Sequence, residues 1–183
     1  MLEALLARHA APVLAGMKTA NLFSVQGLWL HDLQREIFAL TKQLAPKGLR
    51  LMLLCPGRGR ALVYVYRPAL LARDLERPEA RALLSYLGYP QDMAGCLLTL
   101  KRQMAHNAQF PHEIGLFLGY PPDDVAGYIL NSGKNCKCCG CWKVYCNECE
   151  TAKTFAKFAK CKKAYKSMFF QKGKTLHQLT IAV

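Results

Sequence analysis

The sequence predicts a single, mainly helical α+β domain with one small antiparallel β-hairpin and a long, basic C-terminal helix. Apolar residues recur at the 3.6-residue period of helices along most of the chain, whereas only residues 49–67 combine β-branched and aromatic residues around a Pro-Gly turn. A chain of 183 residues, 52% of them hydrophobic and 20% charged, can bury one core. We expect a helical scaffold over residues 1–130, a cysteine-rich segment over 131–149 and the C-terminal helix over 150–170.

The scaffold begins with two predicted helices joined by a loop. Leucines at helical spacing predict an amphipathic helix over residues 2–14, and a loop is expected from Met17 to Ser24. A second helix is expected from about Leu28 to Leu44, before a Pro-Gly stop signal. After the hairpin, Pro68 and Pro78 are each expected to begin a helix.

The hairpin is expected to pair residues 49–55 with residues 61–67. The residues between them, Pro-Gly-Arg-Gly-Arg at 56–60, are typical of a tight loop. Arg58 and Arg60, beside two glycines, offer a grip for an anion, and a solvated turn is the alternative interpretation.

Two nearly identical corners follow, and each is expected to join two helices. LGYPQDMAG at 87–95 matches LGYPPDDVAG at 118–127, with one extra residue in the second copy. Gly88 and Gly119 supply the left-handed residue that ends a helix, and the prolines after them begin the next helix.

The second corner has the order of elements found in a helix-turn-helix DNA-binding motif. A recognition helix enters the major groove by its N-terminal turn, and here that turn carries Asp123 and Asp124. Because DNA phosphates repel carboxylates, these residues are better explained as partners of the positive end of a helix dipole. We therefore expect this corner to be structural.

Pro111-His112-Glu113, just before the second corner, offers candidate catalytic side chains. A His beside a Glu suggests acid–base or metal chemistry. Adjacent helical residues point about 100° apart, however, so the two do not readily hold one atom. The alternative is a Pro-led helix start with Glu113 in its first turn. His9, Lys18 and Asn21 are the possible partners of His112 from the N-terminal part of the chain.

The cysteine-rich segment carries the candidate metal ligands. They fall within fourteen residues: Cys136, Cys138, Cys139, Cys141, Cys146 and Cys149. CxxC spacing lets two thiolates share a zinc ion or belong to an iron–sulfur cluster, so zinc or such a cluster is the expected cofactor. If the chain between residues 141 and 146 were extended it would span about 16 Å, so it must turn for these thiols to meet. A short strand at 141–145 is expected to pair with the hairpin. Redox-active thiols and buried cysteines are the alternatives.

The last helix is expected to run to about Phe170. Asn147 and Glu150 have the spacing of an N-terminal capping box, and the tail from Gln171 is expected to be frayed. The formal net charge is +13, and residues 131–183 carry eleven lysines against only two acidic residues. The lysines at 153–174 are either a solvated helix face or a docking surface for nucleic acid or an acidic protein.

The cellular compartment follows from the cysteines and the N-terminus. The opening residues are not those of a secretory signal, and no apolar run approaches the roughly 18 residues that span a bilayer. Nine cysteines without an export signal favour a reducing compartment. We expect a cytoplasmic protein with no membrane span.

Pro111-His112-Glu113 followed by Leu118-Gly119-Tyr120-Pro121 resembles the two signature motifs of a bacterial family, "domain of unknown function 3793". The likeness extends to His9, Pro12, Gly16, Lys18, Asn21, Leu22, the Tyr64–Pro68 stretch and the Trp142–Tyr145 segment. The resemblance implies a cytoplasmic protein, mostly from anaerobic bacteria, and no known reaction. Relatives have far fewer cysteines between positions 136 and 149, so a metal site there would belong to a subgroup.

Three functions remain open at this point. The first is a metal-binding accessory protein of metal or redox metabolism. The second is an enzyme that uses His112, Glu113 and Lys18 in a pocket with the Arg-rich hairpin loop. The third is a basic module that docks a partner through the lysines at 153–174. The sequence contains no phosphate loop, dinucleotide fingerprint or serine-hydrolase elbow.

Overall fold

The computed structural model describes residues 1–27, 29–57, 60–106 and 110–183. The predicted fold class is confirmed: the protein is a mainly helical α+β structure with two small antiparallel sheets and a long C-terminal helix. The chain forms two compact units. The expected organisation into scaffold, cysteine-rich segment and C-terminal helix stays a prediction.

The first unit consists of residues Met1–Leu70 and Phe158–Val183. Its elements are α1 Leu2–His9, α2 Ala11–Leu14, β1 Ala20–Val25, α3 Leu30–Leu44, a 3-10 turn Ala45–Lys47, β2 Arg50–Gly57, β3 Arg60–Tyr66 and the start of α4 Pro68–Leu75. The predicted first helix is therefore two short helices, with Pro12 in the first turn of α2. Arg58 and Gly59, the tip of the expected hairpin loop, lie outside the described residues.

A three-stranded sheet with the order β1-β3-β2 forms one side of this unit. The predicted hairpin pairs Leu51 with Val65. The loop expected over Met17–Ser24 is wrong, because β1 pairs with the far edge of β3 and places Asn21 opposite Val65. The partners of β1 lie some forty residues along the chain, so local sequence patterns do not reveal it.

The core of the first unit lies between its helices and the inner face of this sheet. Leu2 and Leu6 on α1 are fully buried, and Leu44 on α3 and Val63 and Val65 on β3 join the same cluster. Tyr165, from the C-terminal part of the chain, also packs there.

Arg67 is buried beneath the ends of several elements, with only 1% of its surface exposed. Its guanidinium donates to the carbonyls of Val13 at 2.6 Å, Leu14 at 2.8 Å, Ile181 at 2.8 Å and Lys47 at 3.1 Å. Burial lowers the pKa of Arg67. One side chain thus binds carbonyls from three distant parts of the chain.

The residues after the last long helix are ordered, so the frayed tail expected from Gln171 is wrong. They include α10 Leu176–Leu179, which begins with a capping box between Thr175 and Gln178. Leu176 is fully buried, and the amide of Ile181 donates to the carbonyl of Leu14 at 3.0 Å. Burial of apolar residues this late in the chain is what holds the tail.

The second unit consists of residues Leu71–Lys157. Its elements are the remainder of α4, then α5 Pro78–Tyr86, α6 Met93–His106, α7 Ile114–Phe117, α8 Pro122–Leu130, β4 Cys138–Cys139, β5 Lys143–Val144 and the start of α9 Glu148–Phe170. Within the described residues, no helix is long and apolar enough to cross a bilayer.

The two corners have the backbone that their sequences predict. Gly88 and Gly119 have φ angles of 78° and 72°, in the left-handed region. The amides of Tyr89 and Tyr120 donate back into the preceding helices, to Leu84 and to Gly115, each at 2.9 Å. The corners therefore turn the chain from α5 into α6 and from α7 into α8.

The cysteine-rich segment forms a small hairpin of its own. β4 and β5 are antiparallel, with Cys138 opposite Val144 and Cys139 opposite Lys143. The expectation that the strand at 141–145 pairs with the hairpin at 49–67 is therefore wrong. The turn between β4 and β5 is closed by a bond from the Gly140 amide to the Trp142 carbonyl at 3.0 Å.

The long helix α9 ends at Phe170, as predicted. Phe158 and Tyr165 are buried, and the lysines at 153, 157, 160, 163 and 166 are exposed. Asn147, the expected cap, has a φ angle of 50° rather than the extended backbone of a side-chain cap. The carboxylate of Glu150 pairs with Lys153 at 2.7 Å.

Candidate functional site: an aromatic pocket beside the cysteine-rich segment

A cavity of about 320 Å³ opens in the second unit among α7, α8 and the β4–β5 hairpin. We call it the aromatic pocket. It is lined by Phe110, His112, Ile114, Gly115, Leu118, Tyr120, Asp124, Val125, Tyr128, Cys139, Trp142 and Lys143. Of the candidates named from the sequence, His112 and Cys139 line it.

The floor of the pocket depends on close packing between α7 and α8. A Cβ atom on Gly115 would lie 2.7 Å from Cγ2 of Val125 and 3.1 Å from Cδ2 of Tyr120. Contacts this short are not tolerated, so glycine is needed here for the two helices to approach. The corner thus places the Tyr120 ring against the cavity.

One wall of the pocket is a stack of aromatic rings. The rings of Tyr120 and Trp142 are stacked at 4.7 Å between centroids, and Phe155 meets Trp142 edge-on at 4.6 Å. The Tyr120 hydroxyl donates to the Cys141 carbonyl at 3.2 Å. Burial raises the pKa of Tyr120 to about 12, with a further contribution from Cys141, so this phenol stays protonated near neutral pH.

The cationic and imidazole groups of the pocket sit beside one ring, Tyr128. The His112 ring lies 5.0 Å from the Tyr128 centroid, and the Lys143 ammonium lies 5.8 Å from it. Lys143 also donates to the Gly133 carbonyl at 2.6 Å. His112 is exposed, and its ring makes no hydrogen bond within the part of the chain that the structure describes.

Asp124 holds the cysteine-rich segment against α8. This buried carboxylate, 2% exposed, accepts the backbone amides of Tyr145 at 2.8 Å and Cys146 at 2.9 Å through Oδ1. Its Oδ2 accepts the indole N–H of Trp142 at 2.8 Å. Asp124 therefore positions one wall of the pocket.

Glu113 lies apart from the pocket. It is buried, and its Oε1 is 2.8 Å from the hydroxyl of Tyr89, which belongs to the first corner. The Tyr89 hydroxyl is also 2.7 Å from Oε1 of Gln103. Burial raises the pKa of Tyr89, and the hydrogen bond with Glu113 raises it further. Glu113 thus connects the motif before the second corner to the first corner, while His112 faces the pocket.

Lys18 and His9 belong to the first unit, whereas His112 and Glu113 belong to the second. The buried Lys18 ammonium donates to Oδ1 of Asn21 at 3.3 Å, and the Asn21 amide donates to the His9 carbonyl at 2.9 Å. This chain of contacts joins β1 to the end of α1. The side chains of Arg58 and Arg60, the other expected members of an enzyme pocket, are not among those described.

The six cysteines of the segment lie in and beside the β4–β5 hairpin. Its turn falls at residues 140–142, and strand β5, Lys143–Val144, lies between Cys141 and Cys146. Among the residues that the structure describes, no three His, Cys, Asp or Glu side chains are arranged to hold a metal ion. Burial raises the pKa of Cys138, and Glu148, Cys136 and Asp124 are close enough to raise it further. The metal expectation stays a prediction, and it requires thiols to move.

One buried polar group lies beside these thiols. The hydroxyl of Tyr145 is shielded from solvent and makes no hydrogen bond within the described part of the chain. Burial raises its pKa, and Cys136 is the nearby group that raises it most. A buried hydroxyl without a partner costs about 1–3 kcal/mol, so this position is polar and incompletely satisfied.

The aromatic walls were not among the candidate site residues from the sequence. Tyr120 and Trp142 appeared there only as parts of motifs, and Tyr128 and Lys143 carried no separate signal. One feature of the sequence could have pointed to them, namely the extra residue of the second corner. It places Asp124 inside the first turn of α8, where its carboxylate can reach the cysteine-rich segment.

Comparison with known proteins gives a family and no activity. The model of a family described as "Protein of unknown function (DUF3793)" matches residues 6–180, nearly the whole chain. No curated protein and no solved structure matches the chain.

Proposed function

Because the chain belongs to the DUF3793 family of proteins of unknown function, its chemistry has to be inferred from its site, and we propose that the aromatic pocket binds a small planar organic acid. One observation carries the proposal: a cavity of about 320 Å³ has aromatic walls together with an ammonium and an imidazole beside one ring. Ligand pockets are typically mostly apolar, with a few polar groups that fix orientation.

The size and walls of the cavity favour a flat molecule. Known ligand pockets span roughly 300–1,000 Å³, so this cavity suits a molecule of one or two rings. Tyr120, Trp142 and Tyr128 offer ring faces and edges, against which planar groups pack favourably. Ile114 and Val125 complete an apolar floor.

The charges favour an acid over an amine. Lys143 donates to Gly133, and an ammonium carries three N–H donors, so it retains donors for a ligand. The imidazole of His112 can supply another. Asp124, the carboxylate of the pocket, already accepts three hydrogen bonds from its own chain. A carboxylate or phenolate on the ligand would therefore meet donors.

Tryptophan fluorescence tests this proposal, because the chain has two tryptophans. Trp29 is 83% exposed and belongs to the first unit, so Trp29→Phe leaves Trp142 as the reporter of the pocket. We expect monocyclic aromatic carboxylates, with 4-hydroxybenzoate as the first probe, to quench Trp142 saturably. The matching carboxamides should bind about tenfold more weakly, because they lack the charge.

Two variants in the same segment separate ligand binding from general charge. Lys143→Gln should weaken carboxylate binding about tenfold and leave carboxamide binding nearly unchanged. Lys137→Gln removes an exposed lysine of the same segment and should change neither. If carboxylates and carboxamides both leave Trp142 unquenched, or if Lys143→Gln binds them like the parent, the proposal is wrong.

A second candidate function is metal binding by the cysteine-rich segment, with zinc or an iron–sulfur cluster as the cofactor. The observation that favours it is the unpaired buried hydroxyl of Tyr145 beside Cys136, in a segment where Cys138 and Cys139 are also close. Six thiols in one segment are an oxidation risk that a metal relieves. The proposal includes a reducing cytoplasm and a role in metal or redox metabolism.

Elemental analysis of anaerobically purified protein tests this second candidate. We expect zinc or iron to co-purify, and Cys138→Ser combined with Cys141→Ser to lower the metal content at least twofold. Cys161→Ser, a cysteine of the first unit, is the control and should leave it unchanged. Metal-free protein with six freely titratable thiols in residues 136–149 would end the metal hypothesis.

The enzyme hypothesis receives less support from the geometry. Glu113 contacts Tyr89 rather than the pocket, and Lys18 contacts Asn21 within the first unit. Of the four catalytic candidates, His112, Glu113, Lys18 and His9, His112 is the one among the pocket's described lining residues, so the predicted pairing with the other three is not supported there.

A further inference from the structure

The first unit carries a cluster of cations and exposed rings that the aromatic pocket does not use. Helix α1 ends with Arg8 and His9. Helix α9 carries Lys162, Lys166 and Phe170 at four-residue intervals. Residues four apart lie on one side of a helix, so the three form a single stripe. We propose that these five residues, the basic surface, bind single-stranded nucleic acid.

Direct contacts bring the two helices of the basic surface together. The Arg8 guanidinium lies over the Phe170 ring at 4.9 Å from its centroid. Burial lowers the pKa of His9, and Lys162, Lys166 and Arg8 are near enough to lower it further. His9 therefore offers a neutral ring among cations.

Three residues of the basic surface are cations: Arg8, Lys162 and Lys166. Within the described ranges, Arg8, Lys162 and Lys166 form no ion pair with a carboxylate, in contrast to Lys153, which pairs with Glu150. The chain as a whole has a formal charge of +13. Such a surface attracts a polyanion and releases that polyanion's counterions when it binds.

The exposed rings distinguish nucleic acid from an acidic protein. His9 is stacked on Phe23 by one face, at 5.6 Å and 18° between planes, and Phe170 is 45% exposed. Unpaired bases stack on exposed aromatic rings, and cations beside them neutralise the phosphates. Aspartate and glutamate side chains carry no aromatic ring that could stack on these rings. Duplex DNA keeps its bases paired, so single strands are favoured.

The test is fluorescence anisotropy of the full chain with labelled oligothymidylate of about 20 nucleotides in rising NaCl. We expect affinity to fall linearly on a double-logarithmic plot. Lys162→Gln combined with Lys166→Gln should weaken binding about tenfold and lower the slope by about 1.4, since each phosphate contact on a single strand contributes about 0.7.

A matched pair on the same helix controls for net charge. Lys160→Gln combined with Lys163→Gln removes two exposed lysines of the first unit outside the stripe, and should weaken binding less than threefold. Phe170→Leu keeps an apolar side chain and removes the ring, and should weaken binding at least fivefold. Circular dichroism of each variant checks that α9 remains folded.

Each other outcome overturns the proposal. Equal losses in the two lysine pairs would show diffuse charge rather than a site. Binding of polyglutamate or duplex DNA of equal charge as tightly as the single strand would show that the rings are not used. Absence of binding at low salt would remove the basic surface as an interaction site.

Discussion

Asp124 shows how much of the candidate site depends on one carboxylate. It accepts three hydrogen bonds from the cysteine-rich segment. The strands β4 and β5 have only two residues each, so these bonds supply much of what holds the segment in place. Hydrogen bonds to a charged group contribute about 1.5–3 kcal/mol each at most, so its loss should be measurable.

Asp124→Asn should lower the free energy of unfolding by about 1–3 kcal/mol. The amide oxygen can still accept the two backbone N–H groups, but the amide nitrogen meets the Trp142 indole donor to donor. Urea unfolding followed by Trp142 fluorescence in the Trp29→Phe background measures the change. Asp123→Asn, at the exposed neighbouring position, should stay within about 0.5 kcal/mol of its parent. Equal stability of the two variants would contradict this role of Asp124.

Tyr120 predicts a dependence of stability on alkaline pH. Its pKa is raised to about 12 in the folded protein, from an ordinary value near 10. A raised folded-state pKa means that the unfolded chain releases the proton first, so stability is fully present below about pH 10 and is lost as pH rises towards 12.

Tyr120→Phe removes this titration. Between pH 10 and 12 the variant should therefore lose about 2 kcal/mol less free energy of unfolding than the parent protein. Urea midpoints measured anaerobically across that range check the prediction. Parallel profiles of parent and variant would show that burial does not hold the Tyr120 proton.

At the scale of elements, the two corners have the same backbone and different roles. In the first, the Asp92 carboxylate accepts the Gly95 amide at 2.7 Å, a bond within its own helix start. In the second, Pro121 precedes the helix and Asp124 lies in its first turn, facing another segment. One extra residue separates a corner whose aspartate bonds within its own helix start from one whose aspartate positions a wall of the aromatic pocket.

Gly115→Ala should destabilise the protein by about 1–3 kcal/mol and weaken ligand binding in the aromatic pocket. In an open helix the same change stabilises by up to about 1 kcal/mol, so the sign reports the crowding against Val125. Gly88→Ala is the control, because its Cβ would meet no atom of the described residues within 4 Å. Its left-handed backbone should cost about 1–2 kcal/mol without changing the pocket. Unaltered 4-hydroxybenzoate binding by Gly115→Ala would contradict the prediction.

Elements with local signals were the ones predictable from sequence. Gly88 and Gly119 end helices by their own backbone freedom, and the stripe along α9 predicted its end at Phe170. Strand β1 was not predictable, because its pairing with β3 is supplied by distant residues. In the site, His112 was foreseen from its motif. The aromatic walls were not, since Tyr120 and Trp142 meet through tertiary contacts: the stacking of their rings and the bond from the Trp142 indole to Asp124.

At the scale of the whole molecule, Arg67 connects parts of the chain that are far apart in sequence. Its donors satisfy carbonyls at the end of α2, in the 3-10 turn after α3 and at Ile181. Within the described residues these contacts include no carboxylate. A buried charge held by carbonyl dipoles alone is costly to replace, because its removal leaves several acceptors unsatisfied.

Arg67→Met should lower the free energy of unfolding by at least about 3 kcal/mol. Arg50→Met, at an exposed position on strand β2 of the same sheet, should change it by less than about 0.5 kcal/mol. Chemical denaturation measures both, and amide exchange at Ile181 reports directly on the lost anchor. Similar stabilities of the two variants would show that the carbonyls find other donors.

The first unit is built from two separate stretches of the chain, and this affects how the protein folds during translation. Residues Met1–Leu70 cannot complete their core until Phe158–Val183 have left the ribosome, because Tyr165, Leu176 and Leu179 belong to that core. The second unit is one continuous stretch and emerges whole before then. Until those later residues have been made, the leucines of α1 lack part of the core that covers them, so chaperones can reach them while the second unit is synthesised.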